Sequence, residues 1–266
     1  MSYETILYEE VGAVALITLN RPSKLNAWTP QMSTEQIQAI RRANDNPKIA
    51  SIVMTGAGRG FCAGADMEET FQKRLDGEDP GDGTTDGSGG LTAGDDWIGE
   101  VRAAKPIIAA VNGAAVGIGL TMVLPCDLII ASEKARFGAV FVKVGIVPEL
   151  ASSHFLISRM GFGKASEMML SGRLYGAAEA HEKGLADYVY PEETFLTEAI
   201  KLGETFAGNP DPMMRMTKEL LTLNAVETDL KLIQRRETDL LKQCWELPEH
   251  HEAVNAFLEK RTAKFR

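Results

Sequence analysis

The stretch IIAAVNGAAVGIGL, from Ile107 to Leu120, decides the fold class of this chain. Its first five residues are all apolar, which is typical of a buried strand, and an Asn-Gly pair ends the run. The glycines that follow let the backbone turn tightly and approach a ligand closely. Because the stretch continues into an apolar helical segment, it predicts a strand, a glycine-rich turn and a helix in succession.

A second stretch repeats this arrangement. The apolar run at residues 49–55 leads into GAGRGFCAGA at residues 56–65, and a charged helical segment follows. The glycines formally fit a relaxed dinucleotide-binding fingerprint, but no second unit of that kind follows, so the match is weak. Each turn instead offers one backbone N–H group, and two convergent N–H groups bind an anionic oxygen. The alternative is that both turns only allow close packing.

Strands and helices alternate over the first part of the chain. Strands are predicted at residues 14–19, 49–55, 107–111, 126–131 and 186–190, with helical patterns between them. Helices alone are predicted from residue 192, at 192–207, 212–224, 228–246 and 249–264. The pattern indicates an α/β core with largely parallel strands over residues 1–191, followed by a helical region over residues 192–266.

Composition excludes several classes of protein. The 266 residues carry 28 Lys and Arg against 37 Asp and Glu, and the net charge of −9 argues against nucleic-acid or anionic-membrane binding. No apolar run reaches the length of about 18 residues that spans a membrane, and the acidic start MSYETILYEE lacks the features of a secretory signal. The three cysteines form no CxxC motif, and histidines are few. We therefore expect a cytoplasmic protein with neither a disulfide framework nor a metal site.

One segment differs from the rest in composition. Residues 76–96 read DGEDPGDGTTDGSGGLTAGDD, which is rich in Gly and Asp and contains no Lys or Arg. This composition predicts a flexible surface loop. The loop is either a lid beside a functional site or an insertion without a role, and composition alone favours the insertion.

The glycine-rich motifs resemble those of one known family. The pair FCAGADM (61–67) and AAVNGAAVGIGL (109–120), with CDL (126–128), is similar to the enoyl-CoA hydratase/isomerase (crotonase) superfamily. Further matches are LNRPSKLNA (19–27), ARFG (135–138), GIVPE (145–149) and AFLEKRTAKF (256–265), so the resemblance covers nearly the whole chain. It implies an α/β crotonase (ClpP-like) spiral of ββα units with a helical C-terminal trimerisation region, and a homotrimer or a dimer of trimers.

The resemblance also implies a ligand and a site. The substrate would be an acyl-CoA thioester that carries its own CoA, so no other cofactor is expected. The thioester oxygen would accept hydrogen bonds from the backbone N–H groups of Ala65 and Ile118, which would stabilise enolate-like charge. The residues implied to lie near the CoA moiety are Lys24, Leu25, Ala27, Ala63, Asp66 and Met67, with Phe257 and Lys260 approaching from the C-terminal helix of this or a neighbouring subunit.

The sequence departs from the family at the hydratase carboxylates. The two glutamates expected there are replaced by Thr121 and Phe141, which cannot perform two-carboxylate acid–base chemistry. Glu149 remains, and it resembles the single base of the Δ3,Δ2-enoyl-CoA isomerases. The resemblance therefore favours a 3-enoyl/2-enoyl-CoA double-bond shift with Glu149 as acid/base. The alternatives are a hydratase with a non-standard carboxylate, another thioester reaction, or an acyl-CoA-binding homologue with little catalysis. For Glu149 itself, the alternative is an interaction with the N-terminus of the helix that begins near Leu150.

Overall fold

A six-stranded sheet carries most of the core in the computed structural model, which describes residues 3–78 and 96–266. Most of the predicted 76–96 loop, from 79 to 95, lies outside the described residues. The strands are β1 (Ile6–Val11), β2 (Val14–Leu19), β3 (Ser51–Gly56), β4 (Gly60–Cys62), β5 (Ile107–Val111), β6 (Ala114–Val116), β7 (Leu128–Ser132), β8 (Arg136–Gly138), β9 (Tyr175–Gly176) and β10 (Tyr188–Tyr190).

The strands divide between two sheets. The larger sheet has the order β1-β2-β3-β5-β7-β10, in which β1 and β2 pair antiparallel and the later neighbours pair parallel. The smaller sheet has the order β4-β6-β8-β9. Each of β3, β5 and β7 is followed directly by a short strand of the smaller sheet, and helices lead back to the larger one. The chain therefore winds through repeated ββα units, as predicted.

The helices cover the sheets and form the C-terminal region. They are α1 (Pro30–Asp45), α2 (Lys73–Leu75), α3 (Trp97–Ala103), α4 (Ile118–Thr121), α5 (Ser152–Met160), α6 (Phe162–Ser171), α7 (Ala177–Glu182), α8 (Phe195–Thr205), α9 (Asp211–Asn224), α10 (Leu230–Trp245) and α11 (Pro248–Leu258). Short 3-10 turns lie at Pro22–Lys24, Phe141–Val144 and Phe206–Gly208, and a π-helical turn at Glu68–Gln72. None of the helices in the described ranges is long and apolar enough to cross a membrane.

The core has two parts, one on each face of the larger sheet. The larger part fills the space between the two sheets and the helices that join them. On the other face, Phe195 and Ala199 of α8 pack against Val14, Val53 and Ile108. Burying such side chains contributes about 1.5–3 kcal/mol each, so α8 is held firmly on the sheet.

The remaining C-terminal helices are attached differently. The Nζ atom of Lys218 in α9 lies 2.7 Å from a carboxylate oxygen of Asp127, and the lysine is only 4% exposed. Beyond α9, α10 buries none of its residues in the single chain and α11 buries only Ala256. The helix predicted at 249–264 ends at Leu258, and the division at residues 191 and 192 stays a prediction.

Candidate functional site

The two glycine-rich turns meet at one cavity of about 430 Å³. Five of the residues proposed from the sequence lie in its wall: Ala63, Ala65, Met67, Ile118 and Glu149. The other described lining residues are Trp28, Gly64, Thr70, Phe71, Arg74, Gly117, Val140, Phe141, Val144, Ile146 and Val147. The lining is therefore predominantly apolar, with a few polar groups, as is usual for a site that binds a small organic ligand.

Gly64 and Gly117 bring the two turns together. Their φ angles are +119° and +55°, and residues other than glycine rarely adopt such backbone conformations. A Cβ atom built on Gly117 would lie 3.9 Å from the Cα atom of Gly64, so the two turns lie close together. The next residue of each turn, Ala65 or Ile118, lines the same cavity.

The backbone N–H groups of Ala65 and Ile118 have no partner within the described residues. The neighbours of Ala65 are both used, since Trp28 donates to the Gly64 carbonyl and Asp66 donates to the Trp28 carbonyl, each at 2.8 Å. Ile118 is the first residue of α4, where a helix supplies no acceptor for its N–H group. The cavity wall therefore includes two residues whose main-chain N–H groups are unpaired within the described residues.

Glu149 is half-buried and directly contacts Thr121. The Thr121 hydroxyl donates to Oε1 of Glu149 at 2.6 Å, and the Thr121 side chain is fully buried on α4. Leu150 and Ala151, which follow Glu149, have φ angles of 54° and 49°. These left-handed conformations cost about 1–3 kcal/mol each in non-glycine residues, so surrounding contacts hold the backbone beside Glu149 in place.

The wall around Glu149 is apolar. Phe141 is 6% exposed and occupies a position where a hydratase carboxylate was expected. Val144, Ile146 and Val147 lie along the same segment and expose much of their side chains. Among the described lining residues, Glu149 is thus the only carboxylate that reaches the cavity.

The segment LNRPSKLNA lies beside the cavity without forming its wall. Lys24 is exposed and its Nζ atom lies 3.2 Å from Glu68, while the Leu25 carbonyl accepts from the N–H group of Ala63 at 3.1 Å. The Ala27 carbonyl accepts a hydrogen bond from the side chain of Arg21. Of these three predicted CoA-binding residues, Leu25 bonds directly to the turn that carries Ala65. The contact of all three with CoA stays a prediction.

Asp66 is held inside the protein by Arg21. Its Oδ2 atom accepts from the guanidinium at 2.9 Å, and its Oδ1 atom accepts from the backbone N–H group of Glu68 at 3.2 Å. Burial alone would raise the pKa of this carboxyl group, but the hydrogen bonds and the charge of Arg21 outweigh it and hold the pKa below its usual range. The arrangement gives Asp66 a structural role at the start of the π-helical turn, and its predicted contact with CoA is untested.

The two candidate residues from the C-terminal helix lie away from the cavity wall. Phe257 in α11 is 82% exposed, and Lys260 follows α11 with a φ angle of 56°. Neither lines the cavity of its own chain. Their predicted approach to CoA, from this or a neighbouring subunit, therefore stays a prediction.

Sequence reasoning missed several residues of the site. Trp28 follows LNRPSKLNA directly, and the position next to that motif was the available signal. Phe71 and Arg74 lie in the helical segment after FCAGADM, where nothing in the sequence indicates which residues face the cavity. The contact between Thr121 and Glu149 joins residues 28 positions apart and has no local signal.

Comparison with known proteins agrees with this architecture. The sequence model of the family described as enoyl-CoA hydratase/isomerase matches residues 9–266. A probable enoyl-CoA hydratase of Rhizobium meliloti (strain 1021) is 36% identical, and the match covers 100% of this chain and 99% of that protein. A probable mitochondrial enoyl-CoA hydratase of Dictyostelium discoideum is 37% identical, over 96% of this chain and 88% of that protein.

Solved structures agree with the sequence comparisons. The crystal structure of an enoyl-CoA hydratase from Polaromonas sp. JS666 superposes with a TM-score of 0.87 at 29% identity, covering 98% of this chain and 99% of the other. The predicted α/β crotonase fold is thereby confirmed. No group of three or more His, Cys, Asp or Glu side chains in residues 3–78 and 96–266 is placed to bind a metal ion. The chain is an enzyme that belongs to the enoyl-CoA hydratase/isomerase family.

Proposed function

We propose that this enzyme moves the double bond of an enoyl-CoA thioester between C3 and C2, with Glu149 as the acid/base. The observation that carries the proposal is the composition of the cavity. Two unpartnered backbone N–H groups and one carboxylate line it, while Thr121 and Phe141 occupy the positions expected for hydratase carboxylates. An allylic shift needs one group to carry one proton, whereas hydration by the family's usual route needs two carboxylates.

The reaction follows from these groups. Glu149 removes a proton from C2 of a 3-enoyl thioester, and the electrons delocalise over C2, the carbonyl oxygen and the former double bond. The same carboxyl group then returns the proton to C4, which leaves the double bond between C2 and C3. No water, oxidant or other reactant is consumed, and the proposal requires no resident cofactor because the substrate carries CoA.

The N–H groups of Ala65 and Ile118 stabilise the intermediate. Negative charge develops on the thioester oxygen when C2 loses its proton, and two fixed donors bind that oxygen more strongly in the intermediate than in the substrate. Loss of one such donor typically costs about 2.7–4 kcal/mol of transition-state stabilisation. The absence of another partner for either N–H group within the described residues supports this role.

The remaining predicted residues complete the proposed complex. Lys24, Leu25, Ala27, Ala63, Asp66 and Met67 form or support the side of the site that receives CoA. Phe257 and Lys260 would reach CoA from a neighbouring copy, in a homotrimer or a dimer of trimers built on the C-terminal region. The three cysteines are unpaired, which fits the cytoplasmic location expected from the sequence.

Hydration of a 2-enoyl-CoA is the second candidate function. The names of the relatives favour it, since the Rhizobium meliloti protein is called a probable enoyl-CoA hydratase and an Escherichia coli relative is called a 2,3-dehydroadipyl-CoA hydratase. In this alternative Glu149 would activate water as a non-standard carboxylate. The absence of a second carboxylate among the described lining residues weighs against it.

Parallel assays of the purified enzyme distinguish the two functions. We expect conjugated thioester absorbance to appear from 3-enoyl-CoA, and 2-enoyl-CoA to keep its absorbance. Glu149→Gln should abolish turnover while leaving acyl-CoA binding intact. Glu133→Gln, at an exposed carboxylate whose nearest cation is 3.9 Å away, is the matched control. Loss of absorbance from 2-enoyl-CoA would instead establish hydration, and unchanged turnover by Glu149→Gln would overturn the role of Glu149.

A further inference from the structure

Thr121 holds the carboxyl group of Glu149 through a short hydrogen bond. The two oxygen atoms are 2.6 Å apart, and the Thr121 side chain has no exposed surface. An ionised carboxylate accepts hydrogen bonds and cannot donate, so the hydroxyl is the donor when Glu149 is charged. The separation lies in the range of O–H···O⁻ bonds, which are stronger than neutral ones.

The position of Thr121 relates Glu149 to the backbone donors. Thr121 and Ile118 are three residues apart on α4, and residues at this spacing lie on the same face of a helix. One helical turn therefore carries both the N–H group proposed to bind the thioester oxygen and the hydroxyl that binds Glu149. We propose that Thr121 is a positioning residue, which fixes the carboxyl group relative to the substrate; this proposal rests on the proposed function of Glu149.

A hydroxyl suits this position because the carboxyl group changes its protonation state during turnover. A hydroxyl has one proton and two lone pairs, so it can donate to a carboxylate and accept from a carboxylic acid. The carbonyl oxygen of Ile118 lies 3.4 Å from the Thr121 hydroxyl. When Glu149 holds the proton taken from C2, the hydroxyl turns its own proton towards this carbonyl and accepts from Glu149. No covalent bond to Thr121 forms or breaks.

The variant Thr121→Val tests the role of the hydroxyl. Valine keeps the size and branching of threonine and removes only its hydrogen bonds. We expect kcat for 3-enoyl-CoA to fall about tenfold with KM within about twofold, because a hydrogen bond to a charged group is lost while substrate contacts remain. The acid limb of the pH–rate profile should move by about one pH unit to higher pH, since the charged form of the base loses a donor.

Thr121→Ser is the matched control. It keeps the hydroxyl and removes one methyl group, so the pH–rate profile should match that of the wild-type enzyme. Thr121→Ala removes the hydroxyl without adding an apolar group, and it replaces the valine variant if that variant does not fold. A merely structural role of Thr121 would change the unfolding midpoint of these variants and leave the pH–rate profile unmoved.

The outcomes separate this proposal from the proposed function. An unmoved acid limb in both variants that lack the hydroxyl, while Glu149→Gln abolishes turnover, would overturn the positioning role alone. A serine variant that behaves like the valine variant would also overturn it, because the methyl group would then be the group that matters. Full turnover by Glu149→Gln would overturn the proposed function itself.

Discussion

The two sides of the cavity are built from different parts of the chain. The amide wall, residues 63–65 and 117–118, offers main-chain N–H groups and follows the short strands of the smaller sheet. The side-chain wall, residues 140–149, is a 3-10 turn and a loop that offers a carboxylate and apolar side chains. The amide wall therefore depends on backbone conformation, whereas the side-chain wall depends on residue identity.

Backbone strain lies beside both walls. Leu25 and Asn26 have φ angles of 50° and 55° and precede Trp28, which pairs with the amide wall. Leu150 and Ala151 have φ angles of 54° and 49° and follow Glu149. Since each such residue costs about 1–3 kcal/mol, the fold supports both walls by contacts elsewhere. Under the proposed function, the amide wall would set the class of chemistry and the side-chain wall would set the particular reaction.

Among substitutions in or beside the amide wall, Gly64→Ala should cause the largest loss of turnover, because it changes the backbone that carries the N–H group of Ala65. The added Cβ atom would meet only the Val116 carbonyl oxygen, at 3.6 Å, so it fits, but alanine does not tolerate a φ angle of +119°. The turn should change conformation and move the N–H group of Ala65. We expect kcat to fall by about 10²–10³-fold, as for loss of one donor to a developing oxyanion.

The control for this change is Gly163→Ala, on α6. Its added Cβ atom would meet no other group within 4 Å, and its backbone is helical. This variant should keep full turnover and gain slightly in stability, since alanine is the better helix former. If the Gly64→Ala enzyme folds and keeps the wild-type kcat, the amide wall does not need glycine at residue 64.

The larger sheet was predictable from the sequence, and the smaller one was not. The five predicted strands overlap β2, β3, β5, β7 and β10, because apolar runs give a strong signal. The strands of the smaller sheet are two or three residues long, which is too short for a periodicity to develop, and β4 and β6 lie within the glycine-rich turns. β1 was also missed. Most of its residues are exposed, and polar and charged side chains interrupt its apolar run.

The site shows the same division. Ala65 and Ile118 were proposed from their positions in the family's glycine motifs, and Glu149 from its resemblance to the isomerase base. All three lie in the cavity wall, and their roles stay predictions. Phe71 and Arg74 were missed, because tertiary packing decides which residues of a short helical segment face the cavity. The family resemblance supplied the ligand class, which no local pattern of residues contains.

Asn26→Gly tests how the amide wall is attached to the rest of the core. The fully buried Asn26 side chain accepts from the Arg21 N–H group at 2.8 Å and donates to the carbonyls of Ala57 and Gly60 at 2.9 and 2.8 Å. Each buried hydrogen bond contributes about 1 kcal/mol, so the free energy of unfolding should fall by about 3 kcal/mol in a denaturant titration.

Asn26→Ala is the companion variant. It loses the same hydrogen bonds and must also place alanine at a φ angle of 55°, so it should be less stable than Asn26→Gly by about 1 kcal/mol. Equal stability of the two variants would mean that the left-handed backbone relaxes when the side chain is removed. A wild-type unfolding midpoint for Asn26→Gly would show that these hydrogen bonds do not hold the amide wall.

Asp66→Asn should weaken the same wall in a pH-dependent way. The pKa of Asp66 is lower in the folded chain than its usual value, because the hydrogen bond and charge of Arg21 outweigh burial. Its stabilisation is therefore present above the pKa of the unfolded chain and is lost as the pH falls through the folded pKa. At pH 7 the variant should lose about 1–2 kcal/mol of unfolding free energy, and the loss should shrink below about pH 4.

Asp45→Asn, at an exposed carboxylate, is the control and should show no such change. A pH-independent loss of unfolding free energy in Asp66→Asn would contradict the ion-pair explanation.

Val147→Ser should have the smallest effect, and it sharpens the role of the side-chain wall. Val147 lines the cavity while 81% of its surface is exposed, so an acyl chain of sufficient length would cover it on binding. Losing about one buried methylene equivalent costs about 0.8 kcal/mol, so KM for a long-chain enoyl-CoA should rise about fourfold. KM for a short-chain substrate and kcat for both substrates should stay unchanged, because Glu149 and the amide wall are intact.

Val142→Ser is the matched control, since Val142 lies in the adjoining 3-10 turn, is 45% exposed and does not line the cavity. An equal rise in KM for both chain lengths would place Val147 near the CoA end of the site, and the side-chain wall would then contribute to general binding and not to the choice of acyl chain.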